Sequence, residues 1–116
     1  METEELQAQF VAKKESQEEG HLTVDVFKNG DNIVIQSAIA GADPNSMDIS
    51  ITKDMVTIKG IRTAEERIKS SDYYHRELYW GSFSRSIILP ADIDPDNSKA
   101  SMKNGILTIK LPKLGK

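Results

Sequence analysis

Arg85 carries the most demanding chemistry in this 116-residue sequence. Side chains of an extended strand alternate sides, so Phe83, Arg85, Ile87 and Leu89 share one face while Ser82, Ser84 and Ser86 take the other. A guanidinium therefore stands in an apolar row. It cannot leave water without a carboxylate or carbonyl acceptor, and no obvious one lies beside it in sequence, so its partner must come from elsewhere. Two other groupings have the spacing of a site. His75 and Glu77 lie at i and i+2 on one face of an extended segment, where they could act as an acid/base or metal pair. With only two histidines in the chain, the other being His21, a zinc site is not expected. Asp92, Asp94 and Asp96 alternate like the carboxylates of a calcium loop. The sixth position is Asn97 rather than Gly and the twelfth is Lys103 rather than Glu, so these acids read as turn formers around Pro95. No Ser/His/Asp set and no Gly-rich phosphate loop is present. The expectation is a non-enzyme with no cofactor and no metal.

The elements that must position Arg85 follow from period-two patterning. Residues 72–90, DYYHRELYWGSFSRSIILP, hold five of the seven aromatics, including the only Trp, Trp80. Upstream, Leu22, Val24 and Val26 alternate with polar residues, Asn29-Gly30 is a two-residue hairpin turn, and Ile33, Ile35 and Ser37 resume the alternation. The segment 41–45, GADPN, breaks the strand pattern. Met47, Ile49 and Ile51 form the next strand, Lys53-Asp54 turns it, and Val56 and Ile58 bring it back before Gly60. Residues 61–71 have helix-friendly side chains without a second apolar turn and read as a long excursion. Asp72 to Leu78 reads as a short aromatic strand at its end, followed by the strand from Phe83 to Leu89. Ala100 to Lys103, the turn Asn104-Gly105, and Ile106 to Leu111 make the last hairpin. About eight short strands without a packed helix predict one domain, an antiparallel β-sandwich.

Composition narrows the partners. The net charge is −3, and residues 1–20 hold six Glu against two Lys, which leaves a nearly neutral body. No Lys/Arg cluster suits phosphates, and no apolar run approaches the ~20 residues that cross a bilayer, so neither nucleic acid nor membrane is an expected partner. The absence of cysteine and of a signal-peptide pattern fits a cytoplasmic address. Residues 1–20 read as an acidic arm whose apolar stripe, Leu6, Phe10 and Val11, is too thin to hold a helix down alone.

Five stretches together resemble the α-crystallin domain of the bacterial and plant small heat shock proteins. They are LTVDV at 22–26, Ala40-Gly41 after a strand, VTIKG at 56–60 before a charged excursion, residues 72–89, and NGILTIKLP at 104–112. The resemblance spans nearly all of residues 20–112, and its most specific parts are the Phe83-x-Arg85 strand and the Asn104-Gly105 hairpin. It implies an immunoglobulin-like sandwich over residues 21–112, a short acidic arm at 1–20 and an abbreviated tail at 113–116. The implied function is an ATP-independent holdase that binds partly unfolded clients and delays their aggregation.

The resemblance also assigns residues. Asp72, Tyr73, Tyr74, His75, Arg76, Glu77 and Leu78 would form a strand exchanged into the neighbouring subunit of a homodimer. Arg85 would stand at that interface, binding acceptors of the other subunit. Ile49 and Ile51, facing Ala100 and Met102, would form an apolar groove for clients or for another subunit's tail. No Ile-x-Ile tail follows Leu111-Pro112, so a dimer with an unfilled groove is expected, and a larger homo-oligomer only if the native arms are longer. The alternative is a co-chaperone or adaptor module of the p23 type, which would bind a folded partner on the same sandwich. Those monomeric adaptors lack the aromatic excursion.

Overall fold

The computed structural model describes residues 20–64 and 66–115. The expected arm, with Leu6, Phe10 and Val11, lies outside the described residues apart from Gly20. Among the described residues eight strands are formed: β1 Gly20–His21, β2 Asp25–Asn29, β3 Asn32–Ala38, β4 Asp48–Ile51, β5 Met55–Arg62, β6 Gly81–Ile88, β7 Lys99–Lys103 and β8 Ile106–Pro112. One sheet has the order β1-β6-β5-β4 and the other β2-β3-β8-β7. Every pairing is antiparallel except that of β1 with β6, where Gly20 stands opposite Phe83 and His21 opposite Ser84.

Period-two patterning determines what meets in the middle. Ile33 and Ile35 of β3, with Leu107, Ile109 and Leu111 of β8, face Val56 and Ile58 of β5 and Phe83 and Ile87 of β6, joined by Leu22, Ile39, Leu89 and Ile93. Each such side chain contributes about 1.5–3 kcal/mol on leaving water. The sandwich is thus held by its interior rather than by surface ion pairs. The exposed Lys53–Asp92 pair at 3.9 Å adds little.

The turns follow local chemistry. Between β7 and β8, Lys103 pairs with Ile106, and the two residues between them, Asn104 at φ 52° and Gly105 at φ 79°, take the positive angles of a tight hairpin. Between β2 and β3, Asn29 pairs with Asn32, so the turn is Gly30-Asp31, one residue later than the Asn29-Gly30 expected. Only Gly30 needs a positive φ there, at 61°. Strand β5 runs through Gly60 to Arg62 instead of ending before it. Glycine is needed at position 60 because a Cβ would fall 2.6 Å from Phe83 Cζ and 2.8 Å from Met47 Sδ.

One expected strand is not formed. Ser70–Asp72 makes a short 3-10 turn, and residues 73–80 run on without a ladder partner among the described residues. A segment of this length that joins neither sheet of the described residues is marginal as a strand, so β-propensity alone does not make it one.

Candidate functional site

Two adjacent carbonyls tie the crossing between the sheets, one to Arg85 and one to Ser37. The chain leaves β1 in one sheet and enters β2 in the other, and residues 22–24 cross between them outside both ladders. Crossing backbone loses its strand partners and needs others. Arg85 Nη1, from the first sheet, donates to the Leu22 carbonyl at 2.6 Å, and Ser37 Oγ, from the second, donates to the Thr23 carbonyl at 2.7 Å. Leu22 and Ser37 are both buried. The crossing is stitched from both sides, and an acceptor of Arg85 is a backbone oxygen of its own chain.

The crossing delivers β2 to the edge of its sheet. All five β2 residues are exposed, including the apolar Val26 and Phe27. This is an open row of backbone donors and acceptors, able to accept a further strand.

The excursion between β5 and β6 is fastened at its base. Arg62 Nε donates to the Ala40 carbonyl at 3.1 Å, and the Thr63 amide to the Gly41 carbonyl at 3.2 Å. Trp80, at the other end, lays its ring on Gly41, where a Cβ would come within 2.8 Å of Cζ3. Gly41 also has φ 89°, so glycine serves there both for backbone angle and for close approach. The Arg62 guanidinium lies 6.0 Å from the Trp80 ring centroid. Tyr79 donates its hydroxyl to the Ser82 carbonyl at 2.6 Å. Between these anchors, Tyr74 is fully exposed and Leu78 is 69% exposed, while the Arg76 guanidinium stands 4.8 Å from the Tyr73 ring centroid. Asp72, His75 and Glu77 are exposed as well.

The groove residues lie on the opposite side. β4 and β7 are the outer strands of the two sheets, away from the β1–β2 crossing. Ile49, Ile51 and Met102 are half-buried against the core, and Ala100 is exposed. The structure thus puts the four on two separate edges that border the core.

The acidic loop does what its turn chemistry predicts. Asp94 accepts from the Asp96 amide at 3.1 Å and from Asn97 Nδ2 at 2.6 Å, capping a 3-10 turn at Pro95–Asn97. Among the described residues no group of three His, Asp or Glu side chains is arranged to hold a metal.

Sequence reasoning missed Ser37, Arg62 and Gly41 as working residues. Ser37 had a signal, since a serine in the inward position after Ile33 and Ile35 must find an acceptor. Gly41 and Arg62 had none, because their task depends on where Trp80 returns.

Comparison with known proteins agrees with the architecture. Residues 25–116 match the Hsp20/alpha crystallin family. Spore protein SP21 of Stigmatella aurantiaca is 39% identical over 80 residues, covering 69% of this chain and 47% of that protein. Small heat shock protein C4 of Rickettsia felis is 35% identical over 89 residues, covering 77% and 55%. The chain spans about half the length of these curated relatives. Among solved structures, heat shock protein 16.0 from Schizosaccharomyces pombe superposes with a TM-score of 0.74 at 30% identity, over 84% of this chain and 91% of that one. The hspA protein from Xanthomonas axonopodis gives 0.75 at 28% identity, over 83% and 96%.

Proposed function

Because the chain belongs to the Hsp20/alpha crystallin family, we propose that it is an ATP-independent holdase, a homodimer that binds partly unfolded proteins and delays their aggregation in the cytoplasm. The observation that carries this reading is the segment 73–78, which presents Tyr74 and Leu78 to water, projected from a fastened base and unpaired with either sheet of its own chain. Exposed apolar side chains on an extended backbone suit addition to the edge of another sheet. The exposed β2 edge, with Val26 and Phe27, offers such a place on a second copy. Each backbone bond gained there is worth about 0.5–1.5 kcal/mol net, and a twofold dimer makes the exchange twice.

Arg85 belongs to this interface through what it holds. By fixing the Leu22 carbonyl it fixes the crossing that presents β2. Ile49, Ile51, Ala100 and Met102 are the proposed contact for an extended apolar segment of a client, where the two outer strands border the core.

Replacing residues 66–79 with a short Gly-Ser loop is expected to leave the sandwich folded and raise the dimer dissociation constant by roughly 100-fold or more, since about 3 kcal/mol of contact suffices for that. Sedimentation equilibrium reads it. An unchanged dissociation constant would remove the segment from the interface. The holding activity is read separately, by light scattering from a heat-unfolding enzyme without ATP.

A further inference from the structure

The sandwich repeats itself. Residues 42–62 recur 51 positions later as residues 93–113, with Asp43-Pro44, Ser50 and Thr57-Ile58-Lys59 matched by Asp94-Pro95, Ser101 and Thr108-Ile109-Lys110. The structure repeats with them. Asp43 caps the 3-10 turn Pro44–Ser46 by accepting from the Asn45 amide at 2.9 Å, as Asp94 caps Pro95–Asn97. Hairpin β4–β5 recurs as β7–β8, and the isolated bridge of Ala42 with Arg62 recurs as that of Ile93 with Lys113. The strands before the two copies correspond at a spacing of 50, since Ile35 stands opposite Ile109 of β8 and Arg85 opposite Ile58 of β5. The Ile39 amide then donates to the Gly105 carbonyl at 2.8 Å, and the Leu89 amide to the Asp54 carbonyl at 2.9 Å. From β3 on, the chain is two copies of one strand-turn-hairpin unit, each lending its first strand to the other's sheet.

The copies differ along one edge. β3 is paired on both sides, by β8 and, through the Gly30-Asp31 turn, by β2. β6 is paired along its whole length by β5, but its other edge has only β1, in parallel, at Phe83 and Ser84. Moved 50 positions on, β2 falls on residues 75–79 and its turn on Trp80-Gly81, which sets Tyr79 opposite Ser82, Leu78 opposite Phe83 and His75 opposite Ser86. In the structure residues 75–79 join neither sheet. Tyr79 instead donates its hydroxyl to the Ser82 carbonyl, the group that its amide would take in a two-residue hairpin.

We propose that residues 75–79 fold back on β6 as a hairpin in a closed form of the chain, taking the edge that β1 holds in the open form described above. Two strands cannot occupy one edge, so β1 leaves it. A short parallel pairing is exchanged for a longer antiparallel ladder closed by a local turn, which backbone pairing favours. Gly81, already at φ 139°, supplies the freedom that the turn needs. Leu78, 69% exposed in the open form, moves to the face of Phe83. Charge opposes closure, because Arg76 comes to stand opposite Arg85, and like charges directly opposite destabilise a ladder. Closure withholds from a second copy the segment that the strand-exchange reading assigns to it, and for this consequence the proposal rests on that reading.

The chain contains no cysteine, so introduced pairs report cleanly. His75→Cys/Ser86→Cys and Glu77→Cys/Ser84→Cys place cysteines directly opposite in the hairpin, where Cα atoms approach within the roughly 4.4–6.8 Å that a disulfide spans. His75→Cys/Ser84→Cys and Glu77→Cys/Ser86→Cys are out of register. Each protein is oxidised with diamide at high dilution, and links within single chains are read. Positions 75 and 86 are expected to link at about five times or more the yield of either mismatched pair, although they close a longer loop. Yields that only fall as the loop lengthens would overturn the hairpin. Adding Arg76→Glu, which puts a carboxylate opposite Arg85, is expected to raise the yield from 75 and 86 about threefold, and an unchanged or lower yield would overturn the register. The protein linked at 75 and 86 is expected to sediment as a monomer at concentrations where its reduced form is dimeric. Linked protein that dimerises as readily as the reduced form would overturn the withholding of the segment. A reduced form that is itself monomeric, with 75 and 86 linking as expected, would support the hairpin and overturn the strand-exchange reading.

Discussion

Replacing Phe83 by Ala is expected to destabilise the protein by about 3–5 kcal/mol, the range found when a large aromatic is cut from a closed core. Phe83 is 2% exposed and lies in β6, its ring and Met47 Sδ both closing on the place where a Cβ of Gly60 would stand. Removing it empties space that Gly60 cannot fill, having no side chain, and that β5 cannot close without breaking its ladder to β6. Phe83 also stands opposite Gly20 in the short β1 pairing, so the loss reaches the start of the domain. At about 4–8 °C per kcal/mol for a domain of this size, the melting temperature should fall by more than about 12 °C. Thermal melts at fixed protomer concentration read this directly. A shift under about 4 °C would mean that the Phe83 pocket is not the packed centre described above.

Arg85→Ala is the second large effect, and it reaches the crossing through the Leu22 carbonyl. The substitution removes the donor at 2.6 Å from the Leu22 carbonyl and leaves that acceptor beside a buried residue. Losing a hydrogen bond from a charged donor costs about 1.5–3 kcal/mol. The Ser37 bond to Thr23 remains, so the crossing loosens at one of its two stitches rather than coming away. Stability should fall by that amount, and the proposed dimer should dissociate more readily on dilution because β2 follows the crossing directly. Arg85→Lys should restore only part of both, since a flexible ammonium does not reproduce the rigid planar fork. Unchanged melting together with unchanged dissociation would contradict this role. Loss of stability with dimer affinity intact would confine Arg85 to its own subunit.

How much of this was legible depends on where each interaction partner lies in the chain. The hairpins β4–β5 and β7–β8 are local, and alternation plus turn residues located both. The β2–β3 turn came out one residue off because Asn29-Gly30 looks like a loop with two positive φ angles, whereas Asn29 still pairs with Asn32 and Gly30 alone takes one. β1 escaped notice because two residues in a parallel pairing carry no periodicity. The segment 72–78 has the composition of a strand, and composition cannot supply a neighbouring edge.

The site divides in the same way. That Arg85 needed a distant acceptor followed from desolvation alone. That the acceptor would be Leu22, 63 residues earlier, could not follow, because a main-chain carbonyl leaves no mark on a side-chain pattern. The alternating carboxylates at 92, 94 and 96 could be read as turn formers, and the caps made by Asp94 agree. Trp80 stood out as the only tryptophan, but its seat on Gly41 exists only once β5 and the loop after β3 are in place.

The most direct test of the central claim is light scattering from an enzyme unfolding by heat, without ATP, over rising ratios of this protein to the enzyme. The account predicts suppression at near-stoichiometric ratios from a sample shown to be folded and dimeric. An unaltered scattering curve from such a sample would contradict the holding activity, leave the fold and family as described, and favour a module that binds a folded partner.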